Sequence, residues 1–226
     1  MPGTSFKRLF RAFSVAAMSV TIALGGPAAA GSAVAGPSPA GAYRLHQGPD
    51  MASELILKPD GTFEYFLAAG SLDEMSHGTW RVEGKSLRLT TTPKPVPAVF
   101  TAGPIATVPE EKMVVHVTAP SGGGIAAVDF TIGFDAGEPV TGYTQDYGWS
   151  LAGDEPRTPR SITFSLPIYE ITSQRFTIDL AKGNSQTFIL NPNDLGTIDF
   201  ADVQIDIEPR ALVMHRWGST LTYAAE

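Results

Sequence analysis

The chain has 226 residues, 43% of them hydrophobic, and a formal net charge of −7 at pH 7. It contains no cysteine, which excludes disulfides, thiolate zinc sites, cysteine nucleophiles and lipid-modified cysteines. The acidic balance, without a Lys/Arg cluster after residue 35, argues against binding to nucleic acid or to anionic lipid surfaces.

The first 35 residues have the composition of a cleavable signal peptide. Basic residues at positions 7, 8 and 11 precede an uncharged apolar run over residues 13–24, and small residues follow it. Cleavage after Ala30 or after Ala35 would in each case follow an Ala-x-Ala sequence. Because the apolar run is shorter than the roughly 20 residues of a membrane-spanning helix, we expect no stable membrane insertion.

Removal of residues 1–35 leaves a product of 191 residues with a formal net charge of −10, because the removed segment has three basic and no acidic residues. We expect this product in the periplasm or in the extracellular space. Lys7-Arg8-Leu9-Phe10 is similar to the twin-arginine motif, with lysine in the first place. Export of the folded chain therefore stays open beside export of the unfolded chain.

Short alternating segments between frequent glycines and prolines predict an all-β protein. The clearest element is a hairpin, in which Leu55 and Leu57 lead into Pro59-Asp60-Gly61 and the alternation resumes at positions 63, 65 and 67. The proline fixes the first φ of the turn, and the glycine accepts a positive one. Together with segments 43–46, 79–82 and 87–91, this hairpin predicts a five-stranded antiparallel meander.

Prolines at positions 93, 95, 97, 104 and 109 interrupt the next segment. A proline cannot donate to a strand ladder, so we predict an extended connector over residues 92–111 that pairs at most at a sheet edge. A step of three in the apolar pattern after Phe200 predicts a β-bulge near Ala201-Asp202, and a short helix over 168–173 stays open. Later strands are predicted over 113–117, 128–132, 162–166, 176–180, 187–190, 198–207, 212–215 and 221–223.

These elements predict a signal peptide over residues 1–35, an N-terminal meander over 36–91, the connector over 92–111 and a β-sandwich over 112–226. The meander is either complete in itself or part of an incomplete barrel. A second arrangement stays open, because residues 55–62 and 188–197 have similar sequences. In that arrangement the N- and C-terminal strands form one barrel, and a β domain is inserted between them.

The segment from Gly41 to Thr91 carries motifs at its turns and at its core positions. They are Leu55-x-Leu57-x-Pro59-Asp60-Gly61-Thr62-Phe63, Gly78-Thr79-Trp80 and Leu87-x-Leu89. This pattern resembles the lipocalin-like domains of bacterial exported proteins, and the resemblance implies a barrel that binds small apolar molecules. Five predicted strands are fewer than the eight of a barrel that encloses a ligand.

A second set of motifs lies between Val115 and Trp149. It consists of Val115-x-Val117, Ser121-Gly122-x-Gly124-Ile125-Ala126-x-Val128-x-Phe130 and Tyr143-Thr144-x-Asp146-x-Gly148-Trp149. This set is similar to the carboxypeptidase-regulatory-like, transthyretin-type sandwich, which implies a noncatalytic accessory module. Thr144-Gln145-Asp146 is one residue wider than the usual Thr-Asp of that turn. The whole chain also resembles uncharacterised exported β-proteins of bacteria.

No residue pattern in the sequence predicts a catalytic centre, a metal site or a cofactor. The histidines at positions 46, 77, 116 and 215 lie on different predicted strands, without the spacing of a triad or a metal site. The adjacent acidic pairs 73–74, 110–111 and 154–155 are interpreted as solubilising loop charges. Asn191, Asn193, Gly196 and Asp202 match four positions of a calcium loop, but Leu195 stands where an oxygen ligand belongs.

The aromatic segment 142–149 is the best candidate for a binding surface. Tyr143, Gln145, Asp146 and Tyr147 lie between Gly142 and Gly148, and Trp149 follows directly. Together they combine three aromatic rings with an amide and a carboxylate. Such a loop is suited to stack on and hydrogen-bond a sugar or a peptide. The competing interpretation is core packing, because strand alternation places the three aromatic residues on one face.

The sequence therefore favours an exported, noncatalytic binding or scaffolding protein, whose partner is a small molecule, a glycan, a peptide or another protein. Two alternatives remain. One is an envelope or extracellular hydrolase whose residues meet only in the fold, and the other is a carrier of a small apolar ligand, which requires a closed barrel with an empty interior.

Overall fold

The computed structural model describes residues 38–45 and 50–226, so the predicted signal peptide and His46 lie outside the described residues. The described part is all-β, which confirms the predicted fold class. Within it, no helix is long and apolar enough to cross a membrane. Its helical elements are two three-residue 3-10 helices, Pro167–Tyr169 and Leu180–Lys182.

Seventeen strands follow one another along residues 38–45 and 50–226. The first five are β1 (Gly41–Leu45), β2 (Met51–Leu57), β3 (Thr62–Ala69), β4 (Leu72–Glu83) and β5 (Ser86–Thr91). The next nine are β6 (Val99–Ala106), β7 (Val114–Thr118), β8 (Asp129–Phe134), β9 (Val140–Tyr143), β10 (Trp149–Ser150), β11 (Pro159–Leu166), β12 (Ile171–Thr172), β13 (Phe176–Thr177) and β14 (Ser185–Asn191). The last three are β15 (Ala201–Glu208), β16 (Ala211–Arg216) and β17 (Ser219–Ala225).

The first five and the last three strands form a closed antiparallel barrel. β17 pairs with β1, where Leu45 lies opposite Tyr223, and β15 pairs with β5. This is the second of the two arrangements that the sequence left open, a barrel with an inserted β domain. The strands predicted as one sandwich over 112–226 are therefore divided, since β15, β16 and β17 complete the barrel.

Alternation along the strands explains why the barrel has a core. On β3, Phe63, Tyr65 and Leu67 are buried while the residues between them face outward. The predicted hairpin is confirmed, because β2 and β3 pair and Gly61 has a φ of +85° in the turn between them. Side chains of all eight strands fill the barrel interior.

The inserted domain consists of two sheets that share one core. One sheet has the order β10-β7-β14-β6, and the other has the order β12-β11-β8-β9, with β13 also on β11. Phe164 of the second sheet packs on Phe100 and Phe188 of the first, with ring centroids 5.2 and 4.8 Å apart. This two-layer packing is a β-sandwich.

Three local predictions can be compared with the strands. The connector over 92–111 contains β6, which lies at the edge of its sheet, where prolines are tolerated. The bulge near Ala201-Asp202 is confirmed by a register shift against β5 and by the φ of +58° at Asp202. The open helix over 168–173 is reduced to the 3-10 helix Pro167–Tyr169, because β12 begins at Ile171.

An ion pair orders the long loop before β11. Arg157 donates hydrogen bonds to both carboxylate oxygens of Glu155, at 2.6 and 2.7 Å, and its guanidinium lies 4.2 Å from the ring centroid of Phe134. Hydrogen bonds from Arg157 lower the pKa of Glu155 to about 2 from its ordinary value of 4.5. The ionised carboxylate therefore stabilises the folded state above about pH 4.5, and this contribution is lost as the pH falls towards 2.

We predict that Glu155→Gln lowers the thermal unfolding midpoint at pH 7 and that its difference from the unsubstituted chain disappears between pH 4.5 and about 2. Scanning calorimetry across this range measures the effect. Glu208→Gln, an exposed carboxylate of β15, is the control that should change little at any pH. A difference that stays constant down to pH 2 would contradict the ion-pair account.

Candidate functional site

The inserted domain is joined to the barrel by two connectors, residues 92–98 and 192–200, which are tied to each other. The Val96 amide donates to Asp194 Oδ2 at 2.8 Å, and the Asp194 amide donates to the Val96 carbonyl at 3.1 Å. Asn193 Nδ2 donates to the Pro97 carbonyl at 2.8 Å. These bonds hold the two connectors side by side.

The second connector is also bound to the end of the barrel. The Met75 amide donates to the Gly196 carbonyl and the Ile198 amide donates to the Met75 carbonyl, both at 2.9 Å. The hydroxyls of Ser76 and Thr91 both donate to the Ile198 carbonyl, at 3.0 and 2.8 Å. These bonds fix the second connector on the barrel.

A cleft of about 420 Å³ lies where these connectors meet the barrel, and we call it the junction cleft. One side comes from the barrel ends of β4 and β16, and the other comes from the connectors and the 3-10 helix Pro167–Tyr169. Its lining is mostly apolar, with carboxylates among the apolar residues. Its lining includes Glu74, Val96, Ile168, Arg216 and Trp217.

A buried ion pair forms the floor of the junction cleft. Arg216 Nη2 donates to Glu74 Oε1 at 2.7 Å, Arg216 Nη1 donates to Glu74 Oε2, and Nη1 also lies 3.2 Å from the Tyr65 hydroxyl. Only 6% of the Glu74 side chain and 19% of the Arg216 side chain are exposed. The interpretation of Glu74 as a solubilising loop charge is wrong, because this residue lies on β4 and points into the barrel end.

The ion pair continues into a polar network inside the barrel. The Tyr223 hydroxyl lies 2.9 Å from Ser53 Oγ, which donates to the Phe66 carbonyl at 2.6 Å. Burial raises the pKa of both Tyr65 and Tyr223, so both remain neutral donors at physiological pH. Burial opposes the charge of Arg216, but its hydrogen bond to Glu74 and the neighbouring Tyr65 raise its pKa overall. These hydrogen bonds thus hold the geometry of the floor fixed.

Trp217 stands above this floor in the turn between β16 and β17. The Arg216 guanidinium lies 4.0 Å from the centroid of its ring, and 45% of the residue is exposed. A ring held on one face by a guanidinium keeps the other face for contact with a ligand. Trp217 therefore gives the junction cleft a fixed aromatic wall, which the sequence alone does not indicate.

We predict that Glu74→Ala lowers the free energy of unfolding by about 3–5 kcal/mol, because it leaves the Arg216 charge buried without its partner. The double variant Glu74→Leu with Arg216→Met should lose less than Glu74→Ala, since it removes both charges together. Urea unfolding of the single and double variants measures both values. A double variant at least as unstable as Glu74→Ala would contradict the coupling.

The predicted aromatic site lies where the chain passes from β9 to β10. These two strands end the sheets of the inserted domain on the side away from β6 and β12. The Gln145 amide bonds the Gly148 carbonyl at 3.4 Å and the Gly148 amide bonds the Gln145 carbonyl at 2.9 Å, which leaves Asp146 and Tyr147 at the tip. Tyr143 is 58% and Tyr147 is 78% exposed. The two tyrosines do not pack in a core, so core packing is the wrong interpretation for them.

Buried neighbours hold this aromatic turn in place. Thr144 is fully buried, and its hydroxyl donates to the Ile125 carbonyl at 2.7 Å. Trp149 is half-buried, and its ring lies 4.8 Å from that of Phe130. Gly148 has a φ of +100°, and a Cβ there would lie 2.6 Å from Nδ1 of His116. The turn is thus a rigid projection in which Trp149 belongs to the core and the tyrosines do not.

We predict that Tyr147→Ala changes the free energy of unfolding by less than about 0.5 kcal/mol, as exposed substitutions do. Trp149→Ala should cost at least about 2 kcal/mol, since a fully buried aromatic residue costs about 3–5 kcal/mol. Thermal and urea unfolding of the two variants separate these values. Equal losses would contradict the different burial of the two rings.

The structure brings one histidine near a carboxylate and a hydroxyl. His215 Nδ1 lies 3.3 Å from Thr220 Oγ1, and its Nε2 lies 3.7 Å from Asp206 Oδ2. The three side chains sit on the outer face of the barrel, and none of them lines the junction cleft. Hydrolysis by such a group of residues needs a concave site that positions the substrate, so this cluster is interpreted as a surface network.

The residues of the calcium pattern have other partners. Asn193 Nδ2 bonds the Pro97 carbonyl, and Asn191 Nδ2 lies 3.4 Å from Thr101 Oγ1. Asp202 forms an ion pair with Arg81 at 2.8 Å on the barrel surface. Within residues 38–45 and 50–226, no group of three or more metal-ligating side chains comes together.

The fold and the junction cleft define an eight-stranded barrel with an inserted β-sandwich and a cleft at their junction. No protein-family model, curated protein or solved structure matches the chain. The resemblances to lipocalin-like domains and to transthyretin-type sandwiches therefore remain predictions.

Proposed function

We propose that this chain is an exported, noncatalytic binding protein that holds its ligand in the junction cleft. The observation that carries the proposal is the combination of a preformed cleft with a fixed aromatic wall, Trp217, above a buried ion pair. Binding sites are concave and mostly apolar, with a few polar groups that orient the ligand. The volume of about 420 Å³ is sufficient for a small molecule or for a short segment of a glycan or a peptide.

The walls of the junction cleft support binding because little has to be ordered when a ligand enters. Val96 and Ile168 are exposed apolar side chains of the lining, one on the first connector and the other on the 3-10 helix. Both connectors are already hydrogen-bonded to each other or to the barrel. Binding to a preorganised site loses less conformational entropy than binding to a mobile one.

The barrel interior is a weaker site for a ligand. Buried side chains fill it, among them Phe63, Leu89, Phe200 and Tyr223. A carrier of an apolar molecule inside the barrel would need an empty interior. The junction cleft is therefore the proposed site, and the aromatic turn at Tyr143 and Tyr147 is kept as a second surface for a glycan or a peptide.

The proposal predicts that a substitution that blocks the cleft abolishes ligand binding without unfolding the protein. Ile168→Arg places a long side chain at the cleft wall, and Ile105→Arg is its matched control, because both isoleucines are 42% exposed and only Ile168 lines the cleft. Glycan and peptide arrays identify the binders, and titration of tryptophan fluorescence measures their affinity.

We expect at least one array member to bind, with affinity lowered about tenfold or more by Ile168→Arg and unchanged by Ile105→Arg. Substituting the tip residue, Tyr147→Ala, tests the second surface in the same assay. Binding that is equally strong in Ile168→Arg, or no binding to any array member, would overturn the proposed function.

A further inference from the structure

The inserted domain has an open strand edge beside the junction cleft. β6 ends its sheet and pairs with β14, and within the described residues no strand pairs with its other side. An open edge presents backbone N–H and C=O groups at strand spacing. Pro104 interrupts this row, so the usable part of β6 is Val99 to Ala102.

A second groove, of about 280 Å³, lies along this part of β6. It is lined by Ala98, Val99 and Phe100 on one side and by residues 171–174 on the other. β12, which begins at Ile171, ends the facing sheet, so the groove lies between the edges of the two sheets. Residues on both sides of this groove come from sheet edges rather than from sheet faces.

The groove adjoins the junction cleft, because the two share lining residues. Ala98 and Ile171 line both of them. Together they form a trough that extends from Trp217, past Val96, to Phe100, and we call it the edge trough. Its two ends differ, because the Trp217 end is a cleft with an aromatic wall and the Phe100 end follows a strand edge.

The charges at the Trp217 end of the edge trough are mainly negative. Glu170, Asp194 and Asp199 line the junction cleft there, and the floor pair of Glu74 and Arg216 is neutral as a unit. Lys94 lies 3.6 Å from Asp199 and offsets one of these carboxylates. The remaining negative charge favours a ligand that carries positive charge at this end of the edge trough.

We propose that the ligand of the junction cleft is an extended polypeptide segment with a basic side chain, which adds to β6 as a further strand over Val99–Ala102. This inference rests on the proposed function, whose ligand class it specifies. A polypeptide backbone repeats its donors and acceptors with a rise of about 3.4 Å per residue, which matches a strand edge, and a sugar chain does not. The basic side chain lies in the junction cleft beside Trp217 and the three carboxylates.

The inference is tested with a synthetic probe on the protein without its signal peptide. The probe is an acetylated and amidated peptide with the sequence Lys-Lys-Val-Thr-Val-Thr, and its binding is followed by amide chemical shifts of 15N-labelled protein. We expect the largest shifts at residues 99–102 and at the Trp217 indole. Hydrogen exchange of those β6 amides should slow in the presence of the peptide, since strand addition protects them.

Two altered peptides separate backbone pairing from charge. The first carries N-methyl groups on alternate residues, which removes edge donors while the side chains stay unchanged, and it should bind at least about tenfold more weakly. The second replaces both lysines by glutamates, and it should also bind about tenfold more weakly at low salt. The difference between the lysine and glutamate peptides should shrink at 1 M salt, where charges are screened.

Two sets of protein variants make the same distinction. Glu170→Gln with Asp199→Asn removes two carboxylates of the junction cleft and should reduce the preference for the lysine peptide. The control, Glu110→Gln with Glu208→Gln, removes two carboxylates outside the edge trough and should not change this preference. On β6, Val99→Lys should weaken binding, because a lysine on an edge strand opposes pairing. Ile105→Lys, beyond Pro104, is its matched control.

The outcomes distinguish this inference from the proposed function. Peptide binding with protected β6 amides supports both. Glycans that bind at the cleft while no peptide protects β6 overturn the inference and leave the proposed function in place. Equal binding of the N-methylated and unmethylated peptides also overturns the strand addition. An absence of any ligand that depends on the cleft overturns both.

Discussion

The pairing of β5 with β15 is the constraint from which the rest of the molecule follows. Because these strands are neighbours in a closed barrel, the chain must leave the barrel at Thr91 and return at Phe200 within one strand spacing. The Thr91 amide bonds the Phe200 carbonyl at 2.9 Å, and the Phe200 amide bonds the Thr91 hydroxyl at 2.8 Å. The two connectors therefore run side by side, and the cleft at their junction is a consequence of barrel closure.

Closure also explains the polar floor of that cleft. The ends of β4 and β16 meet at the mouth of the barrel, where Glu74 and Arg216 form their pair, and Tyr65, Tyr223 and Ser53 connect it to the interior. Charges at such a depth are tolerated only when their hydrogen bonds are satisfied. A floor of this kind orients Trp217 through the Arg216 guanidinium, so the aromatic wall, the ion pair and the barrel core form one physical unit.

Local features of this fold could be predicted from the sequence, and long-range ones could not. Pro59-Asp60-Gly61 specifies its own hairpin, the apolar step after Phe200 specifies its bulge, and the prolines keep β6 at a sheet edge. Closure depends on pairing between strands far apart in the chain, and residues 188–197, whose similarity to 55–62 raised that arrangement, lie outside the barrel strands. The burial of Glu74 could not be predicted from its position after Asp73 in an alternating strand, because it depends on Arg216 of a distant strand. The tyrosines at 143 and 147 have the alternation of core residues, but Tyr143 lies on the outward face of β9 and the tight turn carries Tyr147 into solvent.

Barrel closure is most directly tested by cross-linking β1 to β17. Because the chain contains no cysteine, Arg44→Cys with Ala224→Cys introduces a single pair of thiols, and these two residues are register partners. A short bifunctional thiol reagent should join them within one chain with high yield under native conditions, and only weakly in denaturant. A second pair of cysteines, introduced at Arg44 and Glu208, is the control, because it measures cross-linking between residues that are not register partners. Cross-linking of the first pair no faster than that of the control would contradict the closed barrel and, with it, the origin proposed for the junction cleft.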